Sequence, residues 1–234
     1  MGVKDRSPRR VYAAVLALST VAFAAFAATV LFWAGAVRLD VSVVNWVQRV
    51  VPDVLVDLMG VVTYAGSAVF LGPLVILSCL LLVRRDRQSA ALFVIASFAG
   101  SQIASQALKA LFQRGRPELE DPFVQLTTYA FPSGHSLAAT ATYGALALVF
   151  ASAAAERRDR VVLLVSASTL ILVIGASRIV LGRHYTLDVV AGIAGGVALI
   201  SALLVGFERN RDGLLRLDLA GGGHQQPQRS RLDS

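Results

Sequence analysis

Long charge-free apolar runs alternate along this chain with short charged joints. The runs extend from Val11 to Val37, from Leu58 to Val83, from Gln88 to Leu108, from Ser136 to Ala155, from Val161 to Ser177 and from Val189 to Phe207. A helix needs ~20 apolar residues to cross the hydrocarbon core of a bilayer, and each run approaches or exceeds that length. The pattern predicts an all-α, polytopic membrane bundle of six transmembrane helices. The stretch from Arg38 to Asp57 carries scattered charges with Trp46 and Pro52 among apolar residues, so it reads as a re-entrant or interfacial connector. The first run, after Arg9 and Arg10, is too long for a signal-peptide core and reads as a retained anchor.

Composition agrees with a membrane class: 56% of the 234 residues are hydrophobic and 16% are charged. The formal net charge of +7 does not make this a nucleic-acid-binding chain, because the basic residues sit in short clusters between apolar runs. Those clusters orient the spans. Lys4, Arg6, Arg9 and Arg10, then Arg84, Arg85 and Arg87, then Arg157, Arg158 and Arg160, then Arg209, Arg211, Arg216, Arg229 and Arg231 all fall on one side. By the positive-inside rule that side is cytoplasmic, so both termini are inside. Residues 1–210 form one transmembrane domain, and residues 211–234, polar and glycine- and glutamine-rich, are expected to be a disordered cytoplasmic tail. Cys79 is the single cysteine, so no internal disulfide and no cysteine metal cage can form.

Five outer-side cations break the orientation rule: Lys109, Arg114, Arg116, Arg178 and Arg183. A basic residue at membrane depth costs ~2.5–3.5 kcal/mol on insertion scales, so something must offset it. Three segments hold these exceptions. Lys109 ends the third run and Arg116-Pro117 follow; Pro132-Ser133-Gly134-His135 enter the fourth; Ser177-Arg178 close the fifth, and His184 and Asp188 open the sixth. Lys109, Arg116 and Arg178 can neutralise phosphate oxygens, Arg as a planar fork and Lys as a point charge. Ser133, Gly134 and His135 begin a helix, where unpaired N–H groups and the dipole form an anion site. His184 and Asp188 share one helix face, so the carboxylate can accept the Nδ1 proton and leave Nε2 as nucleophile. His135 is then available as the acid for the leaving oxygen.

Together these three segments resemble the signature motifs of the type 2 phosphatidic acid phosphatase (PAP2) superfamily, matching at every defining position from the third to the sixth span. The resemblance implies a helical core and a phosphatase that needs neither metal nor cofactor. It also implies a phosphohistidine on His184, served by His135 and Asp188. It points to a lipid phosphate or pyrophosphate as substrate, with an isoprenyl pyrophosphate such as undecaprenyl pyrophosphate first and phosphatidate or phosphatidylglycerol phosphate next. The site is expected on the extracytoplasmic side of the cytoplasmic membrane. The superfamily also holds haloperoxidases, which the membrane architecture disfavours. A non-catalytic protein binding or transporting anionic lipid is the competing class, but anion binding alone gains little from Asp188 and His135.

Other residues have simpler readings. Ser133 can bind phosphate or cap its helix; Arg183 can contact substrate or snorkel; Arg114 carries less weight. Ser97, Ser101 and Ser105 read as a packing face. Gly192 and Gly196 read as a close helix contact, within the bundle or across a homodimer. Glu118, Glu120 and Asp121 read as solvated loop acids rather than a metal site.

Overall fold

The computed structural model describes residues 8–117 and 129–209. Among them the chain forms helices α1 (Pro8–Phe32), α2 (Ala34–Val50), α3 (Asp53–Tyr64), α4 (Ala68–Val83), α5 (Gln88–Phe112), α6 (Gly134–Ala153), α7 (Arg157–Val180) and α8 (Thr186–Arg209). Helices α1, α5, α6, α7 and α8 are each long and apolar enough to cross a membrane, and α3 with α4, bent by 43° at a short break, passes the same test as a pair, for five spans or six if the bent pair is one. The protein is therefore the expected all-α membrane bundle. Glu118, Glu120, Asp121 and the expected tail of residues 211–234 lie outside the described residues.

Two span boundaries differ from expectation. The first run stops at Phe32 instead of Val37: Trp33 leaves helical geometry (φ −119°, ψ 85°) and α2 begins at Ala34. Arg38 and Asp40 follow at once, and a straight continuation would carry both charges along the span. The stretch from Arg38 to Asp57, expected as a re-entrant or interfacial connector, is mostly α2, the most amphipathic of these helices, which buries Asp40 and Val44 and exposes Trp46. The second span starts at Asp53 and breaks at Ala65–Ser67, where Ser67 Oγ accepts the Phe70 N–H at 3.3 Å to cap α4. Gly66 at the break fits because a Cβ there would lie 2.6 Å from Ile174 Cγ2 and 3.2 Å from His135 Cδ2.

Helix α6 is the hub, packed against α5, α7 and α8. Its Ala, Gly, Ser and Thr residues let neighbouring backbones approach closely, which drives association where lipid removes the hydrophobic incentive. A Cβ on Gly192 would lie 2.6 Å from the Ser133 carbonyl oxygen, and one on Gly196 2.6 Å from Thr140 Cβ. That glycine pair is used inside the bundle, between α8 and α6. Ser97 and Ser101 on α5 are fully buried and return their hydroxyls to Phe93 and Phe98 carbonyls of their own helix at 2.8 and 2.6 Å, as a packing face would. Leu18, Val21, Leu77, Val165 and Leu172 point outward, as a lipid-facing surface requires.

Candidate active site

The C-terminal ends of α5 and α7 and the N-terminal ends of α6 and α8 meet at one end of the bundle. Every residue singled out in the three motifs lies there. Rings of Phe23, Phe112 and Phe131 pack edge-to-face or tilted, with centroids 4.8–6.5 Å apart, against the segment entering α6, where the Phe131–Pro132 peptide is cis. Ser133 is buried and caps α6, its Oγ accepting from Ser136 N at 3.4 Å and from Ser136 Oγ at 3.0 Å. Its own N–H donates to the Asp188 carbonyl at 2.9 Å, which seats α8 against α6. The N–H groups of Gly134 and His135 in the first turn have no acceptor among the described residues, so they remain available to an anion. Lys109 lies over this turn: a Cβ on Gly134 would stand 3.5 Å from Lys109 Nζ and 2.8 Å from Ser105 Oγ. Only glycine leaves that approach open.

The turn between α7 and α8 sets the other wall. Arg178 accepts the N–H groups of Arg183 and His184 at its carbonyl, at 3.0 and 3.2 Å, and Gly182 adopts φ 62° to close the turn. His184 is 1% exposed. Its Nε2 stands 3.3 Å from Arg116 Nη1, and Arg116 is steadied by the Arg183 carbonyl at 2.7 Å. Arg178 gives Nη1 to Thr63 Oγ1 at 2.6 Å while its buried Nε has no partner among the described residues. That spare donor fits an anion. Burial pushes the His184 imidazole well below its ordinary value, and Arg116, Arg178 and Lys109 push it further, which favours the neutral ring. Burial also lowers Arg116 from its ordinary value, against the pull of Asp188. His135 is half-buried in the first turn of α6, within electrostatic reach of Arg178, His184, Lys109 and Arg116.

Asp188 is fully buried. Its Oδ2 lies 3.5 Å from His184 Nδ1, in ion-pair range but outside hydrogen-bonding geometry, and accepts the Tyr185 N–H at 2.9 Å. This is one half of a capping box on α8. Its Oδ1 is held by Arg114 Nη1 at 2.5 Å, and Arg114 Nη2 reaches Asp40 Oδ2 at 3.0 Å. Burial pushes the Asp40 carboxyl up, and its hydrogen bond and charge pairing with Arg114 draw it back. Asp40 and Thr63 were not found by sequence reasoning, and Arg114 was given little weight. The available signal was charge: Arg114 is a cation that breaks the positive-inside pattern and needs an acid, and Asp40 is an acid between two apolar runs. Beside Arg116 a cavity of about 390 Å³ is lined by Val41, Asn45, Pro117 and Tyr185. Among the described residues no cluster of His, Cys, Asp or Glu could hold a metal.

The PAP2 superfamily matches residues 90–212, more than half of the chain. In sequence the chain is 28% identical over 154 residues to phosphatidylglycerophosphatase B of Bacillus subtilis (strain 168), covering 65% of this chain and 74% of that protein. Its fold is similar to the crystal structure of the transmembrane PAP2-type phosphatidylglycerolphosphate phosphatase of Bacillus subtilis, with TM-score 0.74 and 24% identity over 86% of this chain and 98% of that one. It is also similar to Aquifex aeolicus LpxE, with TM-score 0.55 and 22% identity over 71% and 94% of the two chains. The matched family region runs from α5 through α8 and contains all three motif segments, whereas α2 with Asp40 and α3 with Thr63 precede it. By this match and by the site its motifs build, the chain belongs to the PAP2 superfamily, as a membrane-embedded phosphatase of its metal-independent type.

Proposed function

We propose that this phosphatase hydrolyses a lipid phosphate or pyrophosphate through a phosphohistidine on His184. The observation that carries the reading is the 3.3 Å approach of Arg116 Nη1 to His184 Nε2, beside the unpartnered Arg178 Nε. The nucleophilic nitrogen opens onto the cations that would receive phosphate oxygens. In the first step Nε2 attacks phosphorus, a P–N bond forms and the P–O bond to the lipid breaks, with His135 giving its proton to the leaving oxygen. In the second step water gives a proton to His135 and its oxygen attacks phosphorus. The P–N bond breaks and inorganic phosphate leaves. Lys109, Arg116, Arg178 and the first turn of α6 carry the charge on the equatorial oxygens in both steps.

A lipid is favoured because the site sits at helix ends, with amphipathic α2 alongside and the Val41–Asn45 cavity next to Arg116 for the group beyond the phosphate. Phosphatidylglycerol phosphate now stands first, since the Bacillus subtilis relative is named for that activity; isoprenyl pyrophosphate and phosphatidate follow. The extracytoplasmic placement is supported by the basic joints at Arg84–Arg87 and Arg157–Arg160, which lie at the opposite end of the bundle from the site. The test is phosphate release by the purified full-length protein across these lipids, with His184→Ala alongside. Release that His184→Ala abolishes while lipid binding persists is the expected result. Unchanged turnover in His184→Ala would reject the nucleophile.

A further inference from the structure

We infer that Asp40 and Arg114 are positioning residues for the nucleophile, forming a buried bridge that fixes the Asp188 carboxylate beside His184 and ties it to α2. The inference rests on His184 being the nucleophile. Side chains of Arg114, Asp40 and Asp188 are 9%, 2% and 0% exposed, so none of the three is held by solvent. Both terminal nitrogens of Arg114 are engaged, Nη1 by Asp188 and Nη2 by Asp40, and its guanidinium lies 4.4 Å over the centre of the Tyr185 ring. It is therefore not a fourth cation for phosphate.

The bridge restrains the catalytic carboxylate in two ways. Each Asp188 oxygen has its own donor, Oδ1 from Arg114 and Oδ2 from the Tyr185 N–H, so the group cannot rotate away from His184 Nδ1. Asp40 acts one step further out. Its Oδ2 holds Arg114, and its Oδ1 accepts the Leu187 N–H at 3.2 Å, capping the N-terminus of α8 from another helix. The segment carrying His184 and Asp188 is thereby pinned to α2 at Asp40. A lone buried acid on an amphipathic helix is costly, and its pairing with both Arg114 and the α8 backbone gives it a reason to be there.

A double-mutant cycle on the purified full-length protein tests this, reading kcat and KM with dioctanoyl phosphatidate as reference probe and the best-released lipid of the panel beside it. Arg114→Lys keeps the charge but cannot bridge two carboxylates, so kcat should fall on the order of 10²-fold with KM nearly unchanged. Asp40→Asn should lower kcat by a smaller factor. Because residues acting as a unit are non-additive, Arg114→Lys combined with Asp188→Asn should be no slower than Asp188→Asn alone. Multiplying losses, or a raised KM with kcat intact, would overturn the bridge. So would a lower melting temperature with unchanged kcat in Arg114→Lys, the mark of a merely structural pair. Full activity in His184→Ala would overturn the underlying reading, and the bridge's role with it.

Discussion

Replacing Gly192 by alanine would separate the two halves of the site without touching a catalytic side chain. The added Cβ would stand 2.6 Å from the Ser133 carbonyl oxygen, 3.0 Å from Ser136 Cβ and 3.2 Å from Leu137 N. Two of these are backbone atoms of α6 and its cap, so no rotamer change relieves the clash. Reaching a 3.4 Å separation requires α8 to retreat by about 0.8 Å. One turn earlier on α8 is Asp188, whose carbonyl accepts the Ser133 N–H at 2.9 Å, so the same retreat opens the gap between the His184 and His135 segments. Overpacking of this kind costs about 1–3 kcal/mol of stability. A misplacement near 1 Å costs on the order of 10²-fold in rate. The assay is phosphate release per folded molecule in detergent, with thermal unfolding of the same sample. Gly206→Ala is the control, since a Cβ there meets nothing within 4 Å. Wild-type kcat and melting temperature in Gly192→Ala would refute the close-contact reasoning.

Three further outcomes are expected. Thr63→Val removes the Oγ1 partner of Arg178, and at about 1.5 kcal/mol for a hydrogen bond to a charged group KM should rise roughly tenfold with a smaller change in kcat, measured by steady-state kinetics. The His184 pKa is depressed by burial and then by Arg116, Arg178 and Lys109, so the ring protonates only as pH falls well below 6.5 and the acid limb of kcat/KM lies low. Arg116→Gln removes one of those repelling cations, so the pH profile of its residual activity should show that limb moved to higher pH. Treatment with EDTA should leave phosphate release unchanged, checked against a Mg²⁺-supplemented sample.

The charge-free runs made the spans legible because a bilayer admits few alternatives, and the three motif segments stood out because their cations break the positive-inside pattern and need a reason. What could not be read was coupling across the chain. The break at Trp33 lies seven residues before Asp40, whose partners Arg114 and Leu187 are remote in sequence, and the break at Gly66 sits against His135 and Ile174. Pattern rules weigh neighbours in sequence, whereas Asp40 and Leu187 are 147 residues apart. Arg114 was underweighted for the same reason: its two acids lie 74 residues away on either side.

That spacing has a consequence for synthesis. Asp40 and Arg114 both leave the ribosome well before Asp188, so they can neutralise each other as soon as α5 is in place. Asp188, on the last of the described helices, would then join a pair that can already have formed. On the proposed reading, Arg114 would have a counter-charge from Asp40 before α8 inserts, and Asp188 would take up its place beside His184 only once α8 is in the membrane.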